Sequence, residues 1–217
     1  MEEKKILVAD DHTIVRSGIK LIIKDIFPFA VVDEAGNANE VEASVRNKDY
    51  NLIILDIKMP ETDPVALVSS LSACTDGNRV LIFSVSPDEL YAKKFLKLGA
   101  LGYLNKQSSP EEVKKAIYNV LHGTLYTSQK VKELFLNDLK SKKTDNPFEK
   151  LSDKELLIAK YYLKGYNHTE IKKMLKLHSS TIGTLKTRLF VKLKIKSLVD
   201  LIELSRLYKP ERSDPRN

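Results

Sequence analysis

The chain has 217 residues, 42% of them hydrophobic, which is enough to bury a core and excludes wholesale disorder. Its apolar runs are far too short to span a bilayer, its N-terminus lacks a cleavable signal pattern, and its single cysteine, Cys74, permits no internal disulfide; the expected setting is the cytoplasm, with no membrane partner. The net charge of +7 is uneven: residues 149–217 hold 16 Lys/Arg against 8 Asp/Glu while residues 1–148 are nearly neutral, so a C-terminal surface for nucleic acid or another polyanion is expected beside the plainer reading of a solvated lysine-rich face.

From the N-terminus, short β-branched runs alternate with helical patterns. The runs are KILVA (5–9), AVVDEA (30–35), NLIIL (51–55), RVLIF (79–83) and LGYLN (101–105). Over 13–26, Ile14, Val15, Gly18, Leu21 and Ile22 fall on one face of a helix. The clearest helix is 110–121, with Val113, Ala116, Ile117, Val120 and Leu121 at helical spacing. Ser109 is its N-cap, Pro110 its first residue, and Glu112 completes a capping box. Five strands alternating with helices predict a parallel sheet covered on both sides, over residues 1–122.

Between 123 and 148 the pattern weakens. A short amphipathic piece around 129–139 is followed by a polar run ending in Asn146-Pro147, which reads as a helical extension and then a flexible linker. Residues 149–217 are helical throughout. A capping box from Ser152 to Glu155 opens the first helix and Gly165 closes it; Asn167 and Glu170 open a second, short one. A third places Ile182, Leu185, Leu189 and Leu193 on one stripe, and a fourth covers 197–208. Two short helices about a tight turn in a basic four-helix unit fit a helix-turn-helix domain.

In a doubly wound parallel sheet, ligands bind at the carboxyl ends of the strands. Strand 1 ends in Asp10-Asp11, strand 3 in Asp56, and strands 4 and 5 are followed by Ser84 and Lys106. Each alone is more simply a turn former, a cap or a solvated charge. Together on one rim, three carboxylates call for a hard divalent cation such as Mg²⁺, and the hydroxyl and ammonium suit an anion beside it. A cation, a phosphoryl-sized anion and a carboxylate nucleophile make a site for forming an acyl phosphate.

Residues 1–122, through DDH, LDIKMP, FSVS and GYLNK, resemble the receiver domain of bacterial two-component response regulators. The resemblance implies a flavodoxin-like fold of strand order 2-1-3-4-5. It makes Asp56 the acceptor of a phosphoryl group from a sensor histidine kinase. Asp11, Asp56 and the backbone carbonyl of Lys58 would hold Mg²⁺, with Asp10 acting mainly through water. Ser84 would bond the phosphoryl oxygens, Lys106 would pair with their charge, and Tyr103 would be the aromatic that turns inward when Ser84 is drawn to them. Such a chain is a phosphoacceptor rather than a metabolic enzyme, and is expected to form a homodimer when phosphorylated.

Residues 151–207, through LSDKE, KGYNHTEI, LKLHSSTI and LFVKLKI, resemble the LuxR/FixJ/NarL-type helix-turn-helix. The resemblance makes 168–176 the scaffold helix and about 179–193 the recognition helix for double-stranded promoter DNA. Its outward face offers Gly183, Thr184, Lys186, Thr187 and Arg188; the Thr and Arg residues are expected to read bases, and Lys186 and Lys192 to touch phosphates. The sequence departs from the family at Gly183 and Leu185, where Lys and often His stand, and at His178, in the usual Ser/Thr cap position. An output domain that acts only by protein contacts is the alternative. The last helix, with Leu198, Val199, Leu201, Ile202, Leu204 and Leu207, either packs internally or forms a dimer contact. A haloacid-dehalogenase-like phosphatase is set aside, because Lys58 stands where that family needs a second Asp.

Overall fold

The computed structural model describes residues 3–73, 79–140 and 146–210, and the chain divides into two compact units, Met1–Ser141 and Lys142–Asn217. In the first, strands β1 (Lys5–Ala9), β2 (Val31–Ala35), β3 (Leu52–Leu55), β4 (Val80–Ser84) and β5 (Gly102–Asn105) form one parallel sheet in the order β2-β1-β3-β4-β5. Helices α1 (Thr13–Ile26), α2 (Ala38–Asn47), α3 (Pro64–Ala73), α4 (Asp88–Lys97) and α5 (Pro110–Leu121) follow the strands in turn. Every residue of β3 and β4 is buried, as expected of central strands covered on both faces.

One face of the sheet packs Ile6, Val8, Leu52, Ile54, Leu81 and Phe83 against α1 and α5, with Val113, Ala116, Ile117 and Val120 contributed by α5. The capping box of Ser109 and Glu112 forms as expected, so this helix begins where its sequence says. Helix α1 has the expected ends but a different buried face. Ile19 and Ile23 are buried with Val15, Ile22 and Ile26 beside them, whereas Ile14 and Leu21 are 80% and 73% exposed. The helix carries apolar residues on two overlapping stripes, and the sheet selects the one centred on Ile19.

The expected linker over 123–148 also changes. After α5 the chain returns along the edge of β5: the Tyr126 N–H bonds to the Leu101 carbonyl at 2.9 Å and the Tyr103 N–H to the Tyr126 carbonyl at 3.0 Å. Helix α6 (Gln129–Lys140) then packs on α4, where Lys130 pairs with Glu89. The helical piece therefore belongs to the first unit. The polar run behind it, 141–145, lies outside the described residues, as does 211–217 at the end of the second unit.

The second unit holds a 3-10 turn (Pro147–Lys150) and helices α7 (Asp153–Leu163), α8 (His168–Leu175), α9 (Ser179–Leu193) and α10 (Leu198–Leu207). Capping boxes start α7, α8 and α10, each satisfying orphan N–H groups of a first turn. Gly165 takes φ 85° just beyond α7, a conformation that suits glycine. Phe148, Ile158, Ile171, Ile182, Leu189, Leu193, Leu201 and Leu204 form the buried interior.

Candidate functional site

The register of the sheet assembles an acidic rim. Ala9 pairs with Leu55, and the Asp56 N–H bonds to the Ala9 carbonyl at 2.8 Å, so Asp10 and Asp56 leave adjacent strand ends together. Ser84 pairs with Asn105, and the Lys106 N–H bonds to the Ser84 carbonyl at 3.0 Å, which brings Lys106 to the same end. The Lys106 ammonium lies 2.5 Å from Asp10 Oδ2 and 2.6 Å from Asp56 Oδ2. Both carboxylates are buried, at 2% and 3% exposure.

Buried carboxylates this close would drive up one another's proton affinity unless a cation intervened. Burial works to lower the Lys106 pKa, but the hydrogen bonds it donates to Asp10 and Asp56 outweigh it and hold the value above the usual lysine range, so the side chain stays charged. The other oxygens are also engaged. Asp56 Oδ1 accepts from the Lys58 N–H at 2.9 Å, and Asp10 Oδ1 accepts from the His12 N–H at 2.9 Å. Asp11 is more exposed, with Oδ1 2.8 Å from His12 Nδ1. Asp10, Asp11 and His12 place ligand atoms within 4.8 Å of one another. Three carboxylates against one ammonium leave a rim of net negative charge made of hard oxygen donors. That donor set fits Mg²⁺.

Ser84 is fully buried at the edge of this rim, and its Oγ accepts weakly from the Ser86 N–H at 3.4 Å. Tyr103 points into the protein: it is 1% exposed, and its O–H donates to the Ser86 carbonyl at 3.0 Å. Burial, reinforced by the charges of Asp88 and Asp56, pushes its phenol far above the ordinary tyrosine range, so it remains a donor. Asn105 Nδ2 reaches the same carbonyl at 3.4 Å. The rim expected from the sequence, Asp10, Asp11, Asp56, Ser84 and Lys106, is thus brought together. His12 and the Ser86 carbonyl were missed. His12 directly follows the Asp pair, a signal open to inspection; a backbone carbonyl leaves none.

The second unit offers a basic helix face that is only partly as expected. Ile182, Leu185, Leu189 and Leu193 turn inward, and Thr184, Thr187 and Arg188 are exposed. The two Thr hydroxyls bond back to the Ser180 and Gly183 carbonyls at 2.9 and 3.0 Å, a common use of Thr inside a helix. Lys186 does not stand outward. It is half-buried, its ammonium 5.5 Å from the Tyr162 ring and 5.3 Å from the Phe190 ring. Lys192 is exposed, and its Nζ also donates to buried Glu155 at 2.6 Å. Burial alone would raise the Glu155 carboxyl, but Lys192 and Ser152 hold it below the usual range. The charge of Lys192 is therefore paired with Glu155 between α7 and α9, on a side chain that stays 40% exposed. Lys172, Lys173, Lys176 and Lys196 are exposed cations of the same unit that the sequence reading did not single out. His178 supplies no side-chain cap to α9, whose neighbour Ser179 instead meets His168 Nε2 at 2.8 Å. On α10, Leu201, Leu204 and Leu207 face the core while Val199 and Ile202 are exposed.

Comparison with known proteins places both units. Residues 6–118 match the response regulator receiver domain, and residues 149–205 match the bacterial regulatory proteins of the luxR family. The response regulator UvrY of Escherichia coli (strain K12) is 30% identical over 201 residues, 92% of each chain. The response regulator GacA of Pseudomonas aeruginosa is 30% identical over 202 residues, covering 93% of this chain and 94% of that one. RcsB from Salmonella enterica serovar Typhimurium, solved bound to a promoter in the presence of a phosphomimetic, has a similar fold, with TM-score 0.69 and 22% identity over 95% of this chain and 99% of its own.

Proposed function

Because the chain belongs to the response regulators that join a receiver domain to a LuxR-type DNA-binding domain, we propose that Asp56 takes a phosphoryl group from a sensor histidine kinase and that this controls dimerisation and promoter binding. The observation that carries the reading is the Lys106 ammonium held between Asp10 and Asp56 at the strand ends. Asp56 rather than Asp10, which has like burial and contacts, is the proposed nucleophile because it follows β3, the middle strand of the sheet, between the strand that delivers the Asp10–Asp11 pair and those that deliver Ser84 and Lys106. Transfer needs the carboxylate oriented in line and the growing charge compensated. Lys106 supplies compensation from the protein. Asp11, Asp56 and the Lys58 carbonyl are the proposed direct ligands for Mg²⁺, with Asp10 acting through water; the ion, when bound, neutralises the phosphoryl oxygens. Ser84 is placed to donate its hydroxyl to those oxygens. That movement would break its contact with the Ser86 N–H, in the segment whose carbonyl holds Tyr103 and Asn105. The chemistry is that of a phosphoacceptor rather than of a turnover enzyme.

At the other end, the exposed Thr184, Thr187 and Arg188 of α9 are the proposed base-reading residues. The setting is cytoplasmic; among the described residues no helix is long and apolar enough to cross a membrane. The test is labelling by acetyl phosphate with Mg²⁺. The wild type should take one phosphoryl group and Asp56→Asn none, with the fold intact; undiminished labelling of the variant would remove Asp56 from the role.

A further inference from the structure

Arg16 lies outside every motif read from the sequence, yet its guanidinium makes three hydrogen bonds behind the rim. Nη1 donates to the Asp10 carbonyl at 2.7 Å, Nε to Glu34 Oε2 at 3.2 Å, and Nη2 to Thr13 Oγ1 at 3.2 Å. The side chain is only 16% exposed. Glu34 is in turn held by Lys20 at 2.9 Å, so the acceptor is itself fixed.

The Asp10 carbonyl belongs to the peptide whose nitrogen begins Asp11. On the other side of Asp10, its N–H is bonded to the Ala35 carbonyl at 3.0 Å. Both backbone groups of Asp10 are therefore tied: one to β2, the other through Arg16 to α1 and to the Glu34 carboxylate of β2. With that peptide held, the nitrogen and Cα of Asp11 are placed, which leaves only its own φ and side-chain torsions to set where the carboxylate points. Asp11 is the most exposed of the three rim carboxylates and gains least from packing. A planar fork holds a carbonyl and a carboxylate at set angles, whereas the donors of an ammonium rotate and fix no plane.

We propose that Arg16 is a positioning residue for the cation site, holding the Asp10–Asp11 peptide so that the Asp11 carboxylate is set to receive Mg²⁺. The inference rests on the reading of Asp11 as a ligand. It makes a prediction opposite in sign to simple electrostatics: deleting a cation near carboxylates should by itself tighten Mg²⁺ binding, whereas loss of positioning weakens it, by roughly tenfold where outer residues orient ligands.

The experiment is calorimetric titration of the full unphosphorylated chain with Mg²⁺, for the wild type, Asp11→Asn, Arg16→Ala and Arg16→Lys, with thermal unfolding of each as a control. Weaker binding by roughly tenfold in Arg16→Ala and a smaller loss in Arg16→Lys is the expected result. Should Arg16→Ala fail to fold, Arg16→Lys, which keeps the charge and the aliphatic stem, carries the test. Wild-type or tighter binding in Arg16→Lys, or in a folded Arg16→Ala, overturns the inference while a weakened Asp11→Asn leaves the cation site standing. Undiminished binding in Asp11→Asn overturns both.

Discussion

At the acidic rim, residues far apart in the chain meet; along α9, neighbours in the chain share a face. Asp56 and Lys106 are 50 residues apart in sequence yet bonded at 2.6 Å, because β3 and β5 end at the same side of one parallel sheet. Thr184, Lys186, Thr187 and Arg188 lie within two turns of a helix, yet they have different fates: Lys186 lies over two aromatic rings while Arg188 is exposed. A site built from strand ends has its partners in the site itself, so the Lys106 ammonium is shared by two of its three carboxylates. A site on a helix face competes with the domain interior for its long side chains. Lys192 is the clearest instance, drawn to Glu155 across α7 and α9.

That contrast is broken or sharpened by five substitutions. The largest effect belongs to the rim. Lys106→Met removes the ammonium shared by Asp10 and Asp56, and labelling by acetyl phosphate should slow by about a hundredfold or more. A rate near that of the wild type would mean that the rim does not depend on its own cation, and the contrast with α9 would lose its basis.

Glu155→Gln tests the internal claim on Lys192. Glutamine at this position retains the capping box with Ser152, so the ion pair alone is removed. The expected loss is about 2 kcal/mol of stability at neutral pH, read by denaturant unfolding. The Glu155 carboxyl is held below its ordinary value of 4.5, so the folded state binds its proton less readily than the unfolded one. The pair therefore contributes stability above that value and loses it as pH falls through the folded pKa. Wild type and variant should converge in acid; a gap independent of pH would assign the loss to something other than the ion pair. Lys192→Ala should reproduce the stability loss and leave the salt dependence of DNA binding nearly unchanged.

Arg188→Ala tests the exposed part of the face. Paired hydrogen bonds from Arg to guanine are worth about 1–3 kcal/mol of discrimination. The variant should lose that much preference for a selected operator over a scrambled duplex across a salt series. Equal losses on both duplexes would make Arg188 a phosphate contact.

The smallest effect is a gain. A methyl group built on Gly183 meets nothing within 4 Å. Gly183→Ala should stabilise the domain by about 1 kcal/mol through helix propensity alone. Destabilisation would show that the missing side chain serves the fold.

Much of this was legible in the chain itself, and what was legible shares a physical character. Strands β1 to β5 fall on the β-branched runs because continuous apolar stretches leave the backbone few other ways to be buried. Helix starts at Ser109, Ser152 and Asn167 were readable because a capping box is closed within four residues. Strand-end acids were readable for a related reason: parallel topology forces their convergence once the strands are assigned. Other features waited for the tertiary structure. Periodicity sets the angle between side chains around α1, but only the sheet decides that Ile19 faces inward and Ile14 outward. The polar segment after α5 became part of the first unit because β5 had an open edge for Tyr126 and α4 a surface for α6. Arg16 joins Asp10 to Glu34, and Lys192 joins Glu155, through bonds between different elements. Local patterns specify backbone conformation because its hydrogen bonds close within a few residues, whereas the partner of a long charged side chain is whatever acceptor the packed elements bring within its reach.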